Sequence, residues 1–248
     1  QWADVWLGLH VGSDIALANT MAREINHAGL VHDTRRLATR VMRALPGDDA
    51  ILVDSAGCGA QLKDYGHLLR RVEGYGERAK QIADLTRDIT EFLANYDMGP
   101  PKRWSSLRVA YHSACSMQHG QRVVDEPRKL LRNAGFSVVE VPEGHLCCGS
   151  AGTYNILQPD IARELRDRKI ANIKGVRADV VATGNIGCIT QLAGGMGIPI
   201  AHSVELLDWA YGGPVPRGLE ALKDRVSEVP ESMRRTIVAE RKRERGAA

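Results

Sequence analysis

Short apolar runs rich in β-branched residues alternate along the chain with longer stretches in which apolar positions return every three or four residues. That alternation is the βαβ signature of a parallel sheet covered by helices: a strand buried on both faces reads as a continuous apolar run, and its covering helix shows one apolar stripe. The runs predict strands at Ala50 to Val53, Leu107 to Tyr111, Val138 to Val141, Val180 to Ala182 and Ile198 to Ala201. Helical periodicity occupies Thr34 to Ala44, Glu77 to Asn95, Gln121 to Ala134, Pro159 to Lys174 and Val204 to Tyr211. Gly135 stands where a C-cap needs a residue free of a Cβ, and Pro159 where a first helical turn has no use for its missing N–H. Asn95 to Ser106, with Gly99-Pro100-Pro101, reads as a linker dividing the chain into unequal halves.

Each half carries the same short motif. Ser55-Ala56-Gly57-Cys58-Gly59-Ala60-Gln61-Leu62 and Asn185-Ile186-Gly187-Cys188-Ile189-Thr190-Gln191-Leu192 share Gly-Cys-x-x-Gln-Leu, and each follows a predicted strand and enters a helix. The pattern predicts an α/β fold of two pseudo-repeated βαβ units with mostly parallel sheets flanked by helices. The cysteines then lie at the carboxyl ends of strands, the edge of an open α/β sheet where ligands bind.

Composition narrows the function. The 33 basic and 30 acidic residues nearly balance, at a net +3, which gives no expectation of a nucleic-acid partner. The basic run Arg241, Lys242, Arg243, Arg245 reads as a solvated helix end. No apolar run of about 18 residues spans a bilayer, and Gln1-Trp2-Ala3-Asp4 lacks a secretory signal, so the expected location is cytoplasmic. Gly-x-Ser-x-Gly is absent, and the glycine spacing from Gly8 to Gly12 is not a dinucleotide fingerprint.

Five cysteines, an odd number, argue for metal or redox chemistry rather than a disulfide framework. Cys58, Cys115, Cys147-Cys148 and Cys188 each follow a predicted strand, so a parallel sheet would gather their thiols at one edge although they are far apart in sequence. Thiolates are soft ligands for iron or zinc, and cluster irons take four of them. Gly57, Gly59, Gly149, Gly152, Gly184 and Gly187 would supply backbone N–H groups to the sulfurs. A lone cysteine is more often a buried small hydrophobe, but adjacent cysteines on extended backbone point to opposite faces and rarely serve packing alone. A vicinal disulfide is a strained alternative.

Cys115, Cys147-Cys148-Gly149 and Cys188 in its Gly-Cys turn resemble the cysteine-rich CCG domain of heterodisulfide reductases, lactate-utilisation proteins and the glycolate oxidase iron-sulfur subunit. His145-Leu146-Cys147-Cys148-Gly149-Ser150-Ala151-Gly152-Thr153-Tyr154, with the Ser55 to Gly59 and Asn185 to Cys188 motifs, is similar to the last in particular. The likeness runs from about His32 to Tyr211 and divides the chain into a partial first CCG-type repeat over 1–98, a complete second one over 107–212 and a helical tail over 213–248. The resemblance implies an iron-sulfur cluster, of the 4Fe-4S type, held by Cys58, Cys115, Cys188 and one or both of Cys147 and Cys148. His112, His119, His145, Gly149 and Asn185 are expected to surround it as hydrogen-bonding or proton-carrying neighbours, and His67 and His202 to be surface or packing residues.

It further implies a non-catalytic electron-transfer subunit beside a flavin-containing catalytic subunit of a hydroxy-acid oxidase, with peripheral membrane association through that complex. Heterodisulfide reductases close the motif with Cys-x-x-Cys, where Asn185 and Ser55 stand here, so their ligation does not carry over intact. Two alternatives stand beside the leading reading: disulfide reduction of the heterodisulfide reductase type, and a zinc that pins the domain. Ala3 to Met21, and on to Leu30, is similar to the nucleotide-contacting segment of molybdopterin oxidoreductases, without anything else of that family. A fused or truncated chain with a join near His27 is the expectation there.

Overall fold

The computed structural model describes residues 50–96 and 98–237. The molybdopterin-like segment, the helix expected at Thr34 to Ala44 and the basic run from Arg241 lie outside the described residues. In chain order the elements are β1 (Ile51–Val53), α1 (Ala56–Lys63), α2 (Tyr65–Leu68), α3 (Gly76–Leu85), β2 (Thr86–Asp88), α4 (Ile89–Ala94), β3 (Arg103–Ser105) and β4 (Arg108–Tyr111). There follow a π-helix (Ser116–Gln121), α5 (Glu126–Asn133), β5 (Ser137–Glu140), α6 (Tyr154–Leu157), α7 (Pro159–Gly175), β6 (Val180–Thr183), α8 (Ile186–Ala193), β7 (Ile200–His202) and α9 (Ser203–Ala210). A 3-10 helix (Glu220–Arg225) and β8 (Val226–Glu228) complete the named elements, and 231–237 are helical.

The main sheet is parallel throughout, in the order β5-β4-β6-β7. Alternation along its strands divides the core. Val109, Tyr111, Val180 and Ala182 face one layer with Leu130, Leu131, Leu206 and Trp209 of α5 and α9. Ala110 and Val181 face the other, with Ile170 and Ile173 of α7 and Leu192 of α8. Period-2 strands between period-3.6 helices thus make the three-layer α/β arrangement that the apolar pattern predicts. Cys148 and Cys188 lie in the second layer. The strand order reverses between β4 and β6, which opens a crevice at their carboxyl ends, the ligand edge of doubly wound sheets.

The first half is smaller: β1 and β2 pair in parallel, with Ile51, Tyr65, Leu69, Ala79 and Ile82 as its buried core. Here the structure corrects a prediction, because the helix expected over Glu77 to Asn95 is broken at Thr86–Asp88, which becomes β2. Thr86 turns its hydroxyl to Ile82 O at 2.7 Å. Asp88 caps α4, accepting Thr90 N–H at 2.8 Å in a capping box with Glu91. Short oxygen-bearing side chains favour caps over helix interiors, and two of them here outweigh the apolar periodicity.

The helix expected from Gln121 begins only at Glu126, since Arg122 takes a left-handed φ of 61° that closes the π-helix before it. The expected linker holds β3, paired antiparallel with β8. The span from 213, expected to be helical, is therefore strand and 3-10 turn before its helix starts. Arg103 fastens this clasp by donating to Trp209 O at 3.0 Å and Gly213 O at 2.6 Å and pairing with Glu228 at 3.0 Å. Gly135, at φ 92°, and Pro159, at the start of α7, stand as predicted. No helix of the described residues is long and apolar enough to cross a membrane.

Candidate metal centre

β4 ends in buried His112, Ser113 and Ala114, and its chain then turns at Cys115, the N-cap of the π-helix. π-turns of this kind are uncommon and recur at functional sites. The Tyr111 hydroxyl donates to Met117 Sδ at 3.3 Å inside the turn. After β5 the chain crosses to Cys147-Cys148-Gly149. Gly149 has φ 89°, and a Cβ there would fall on the carbonyl oxygen of Ala162 in α7, so the loop approaches the helix as only glycine permits. After β6, Asn185 leads into α8, with Cys188 in its first turn.

The four thiols meet in two contacts. Cys115 Sγ lies 3.8 Å from Cys147 Sγ, and Cys148 Sγ lies 3.3 Å from Cys188 Sγ. The adjacent cysteines therefore point to different partners, as extended neighbours do, and all five cysteines are free thiols. Gly149 N–H donates to Cys147 Sγ at 3.3 Å, and Asn185 Nδ2 to Cys188 Sγ at 3.4 Å. Ligand atoms of His112, Cys148 and Cys188 all lie within 4.8 Å of one another, and His112 Nε2 is buried without a hydrogen-bond partner. The unpaired imidazole nitrogen leaves a donor atom beside the thiols that a metal or a proton could take up.

Protons are shared unequally. Hydrogen bonding with Cys115, then with Cys148, pulls Cys147 well below the ordinary thiol range and raises Cys115 in return. The hydrogen bond from Cys148 keeps Cys188 well below the ordinary thiol range, while Cys147 foremost and Cys188 next raise Cys148. Thiols whose proton affinities are driven apart in this way, beside an apolar layer that holds Cys148 and Cys188, suit a soft cation that takes sulfur as thiolate.

The turn that carries Cys58 in the first half meets the turn that carries Cys188. The N-caps of α1 and α8 do not cap their own helices but meet each other, Ser55 Oγ donating to Asn185 Oδ1 at 3.3 Å. Gly57 N–H adds a bond to Asn185 Oδ1 at 3.5 Å, Ala56 N–H one to Gly184 O at 3.0 Å, and Gln121 Nε2 one to Ala56 O at 2.9 Å. The two Gly-Cys motifs are thus stitched start to start. Tyr65, buried with its hydroxyl unpartnered, is pushed to about 12 by burial first and by Cys58 second.

His119 and His145 are exposed. His119 Nε2 lies 3.5 Å from His145 O, and Gln118 Nε2 donates to Gly144 O at 3.1 Å, so both bonds tie the π-helix to the Cys-Cys loop. His202 does more than pack, capping α9 and donating to Asp54 O at 2.8 Å. Sequence reading passed over Gln121 and Lys169. For Lys169 a signal existed: it follows Ala162 by seven positions and precedes Ile173 by four, a lysine in the buried stripe of α7.

Fold and site together define a cysteine-rich domain of the CCG class, and the family described as "CCG: Cysteine-rich domain" matches residues 109–193. The chain is 37% identical over 164 residues to the glycolate oxidase iron-sulfur subunit of Escherichia coli (strain K12), covering 66% of this chain and 40% of that protein. It is 31% identical over 194 residues to lactate utilization protein A of Geobacillus thermodenitrificans, covering 73% of this chain and 79% of that one. Lactate utilization protein A of Bacillus licheniformis is 29% identical over 192 residues. The chain belongs to the family of CCG cysteine-rich-domain proteins that includes lactate utilization protein A.

Proposed function

We propose that the chain is an iron-sulfur electron-transfer subunit of a complex that oxidises a 2-hydroxy acid such as glycolate, working beside a flavin-containing catalytic subunit. The observation that carries it is the convergence of Cys115, Cys147, Cys148 and Cys188 at the switch point of a parallel sheet, with buried His112 Nε2 unpartnered among them. The donor set fits a thiolate-held cluster of the 4Fe-4S type: four soft sulfurs, backbone and amide N–H groups already aimed at two of them, and apolar walls. Such a group takes up and releases one electron at a time.

The residues' part in this is to hold and tune. Cys115, Cys147, Cys148 and Cys188 would be the ligands, with Cys58 reaching the same edge through the α1–α8 junction. Gly149 and Asn185 donate to sulfur and so favour its anionic form. His112 stands within reach of Cys188 to ligate or to hold a proton, and His119 and His145 sit at the exposed mouth. The hydroxy-acid context is supported by the names of the relatives, an iron-sulfur subunit of glycolate oxidase and lactate utilization protein A. Docking to that partner would place the chain in the cytoplasm, at the inner membrane face.

Zinc is a second reading, favoured by the compact grouping of His112, Cys148 and Cys188, three donors of the kinds that zinc takes. The deciding measurement is iron, sulfide and zinc content with a visible spectrum on anaerobically purified protein. Iron with equal sulfide and broad absorption at roughly 400 nm, as thiolate-bound clusters show, is the expected result. Colourless protein with about one zinc would replace the redox reading by the structural one.

A further inference from the structure

A buried charge costs several kcal/mol unless something nearby compensates it, as a rough general figure. Among the described residues, Lys169 is the one lysine or arginine that is wholly buried, at 0% exposure. Its Nζ donates to Glu143 O at 2.6 Å, and no carboxylate of the described residues comes within ion-pairing distance of it. The Glu143 side chain is taken by Arg168 and Asn172. The loop whose start Lys169 grips runs directly into Cys147 and Cys148. Burial pushes the Lys169 ammonium toward its neutral form, and the negative charge of the cysteine site and of Glu143 opposes that push.

Position agrees with charge. Ala162, seven residues earlier on the same stripe of α7, is the residue Gly149 packs against, so this face of the helix lies directly behind the Cys-Cys-Gly loop. Glu143, where that loop begins, has a left-handed φ of 52° and is gripped from α7 by Arg168, Lys169 and Asn172. A helix face that needed only to pin this loop could use arginine and asparagine, which reach it from the surface. A lysine in the core, while it holds its proton, puts a positive charge where water screens it poorly.

We propose that Lys169 is the buried counter-charge of the cysteine site, stabilising the negative charge that accumulates when its thiols bind a metal as thiolates. Where that metal is an iron-sulfur cluster, an extension that rests on the function proposed above, Lys169 also stabilises the reduced form, which carries one more electron. A four-thiolate complex of a divalent cation bears a net charge of −2, so a nearby cation favours its formation from protonated thiols and favours each further electron.

The test compares the parent chain with Lys169→Gln, Lys169→Met and Lys169→Arg. Metal-free protein is titrated with Cd²⁺, followed by ultraviolet thiolate-to-cadmium absorption, and the reconstituted protein is assayed for iron and for midpoint potential. The uncharged variants should still fold metal-free, because Arg168 and Asn172 continue to hold the start of the loop through Glu143. They should bind Cd²⁺ about tenfold or more weakly, the scale of one unit charge at close range. At unchanged iron content their midpoint potential should fall by about 59 mV, a tenfold change for one electron. Lys169→Arg should keep most of both properties.

Parent-like Cd²⁺ affinity and potential in the uncharged variants would overturn the proposal. So would losses in Lys169→Arg as large as theirs, which would assign the effect to one hydrogen bond. Collapse of both uncharged metal-free variants would make the charge a requirement of the fold, and would equally overturn it. If the parent takes up no iron, the iron-sulfur reading fails by itself, and the Cd²⁺ titration still decides the role of Lys169.

Discussion

Cys147 and Cys148 are adjacent in the chain, yet one meets Cys115 and the other Cys188, so a single loop connects both thiol contacts. Removal of either sulfur should therefore disable the whole site. Cys147→Ser or Cys188→Ser is expected to lose most of the bound iron, a serine hydroxyl being a hard, weakly acidic substitute for a thiolate. Met117→Leu should retain it, because Met117 is buried in the π-helix, where its sulfur accepts a hydrogen bond from Tyr111, and Leu for Met is a volume-conserving exchange costing under ~1.5 kcal/mol. Iron analysis of the three variants checks this, and equal iron in all of them would remove the cluster. Among the histidines, residue chemistry alone could not rank the three near the cysteines. Burial does: His112 lies with the thiols, and His119 and His145 are exposed.

At the scale of elements, α7 holds the loop that carries the adjacent cysteines. Hydrogen bonds from Arg168 first, and from Asn172 next, lower the Glu143 carboxyl from 4.5 to about 2. A carboxyl depressed on folding contributes stability that is full above its unfolded value and is lost as pH falls through the folded one. Metal-free protein should accordingly lose melting temperature between pH 4.5 and pH 2 more steeply than Glu143→Gln, in which this link is absent; parallel melting curves would show the grip to be inert. The element corrections share one cause. Thr86, Asp88 and Arg122 are single residues whose side-chain caps or left-handed backbone cut a periodic stretch, and periodicity averages over such points.

Across the whole molecule, the two halves of the chain meet through the starts of α1 and α8. If Ser55 and Asn185 join the halves, their energies should couple. Ser55→Ala and Asn185→Ala in a double-mutant cycle are expected to show an interaction of about 0.5 kcal/mol or more by urea unfolding, and strict additivity would mean that the remaining backbone bonds suffice. The strands of the main sheet, the Gly-Cys repeat, the soft donor set and the resemblance to the CCG domain were all legible in residue order, because apolar period and thiol chemistry are local properties. The β3–β8 clasp was not, since Arg103 and Glu228 are partners only after the chain has folded back. Nor was the pairing of sulfurs. Sequence alone determined which soft donors the molecule owns and placed them after strands. Only the tertiary structure decided that the switch between β4 and β6 brings Cys115 and Cys188 to one crevice. It also set Lys169 behind them, because pairing order and helix packing join residues that the chain itself keeps far apart.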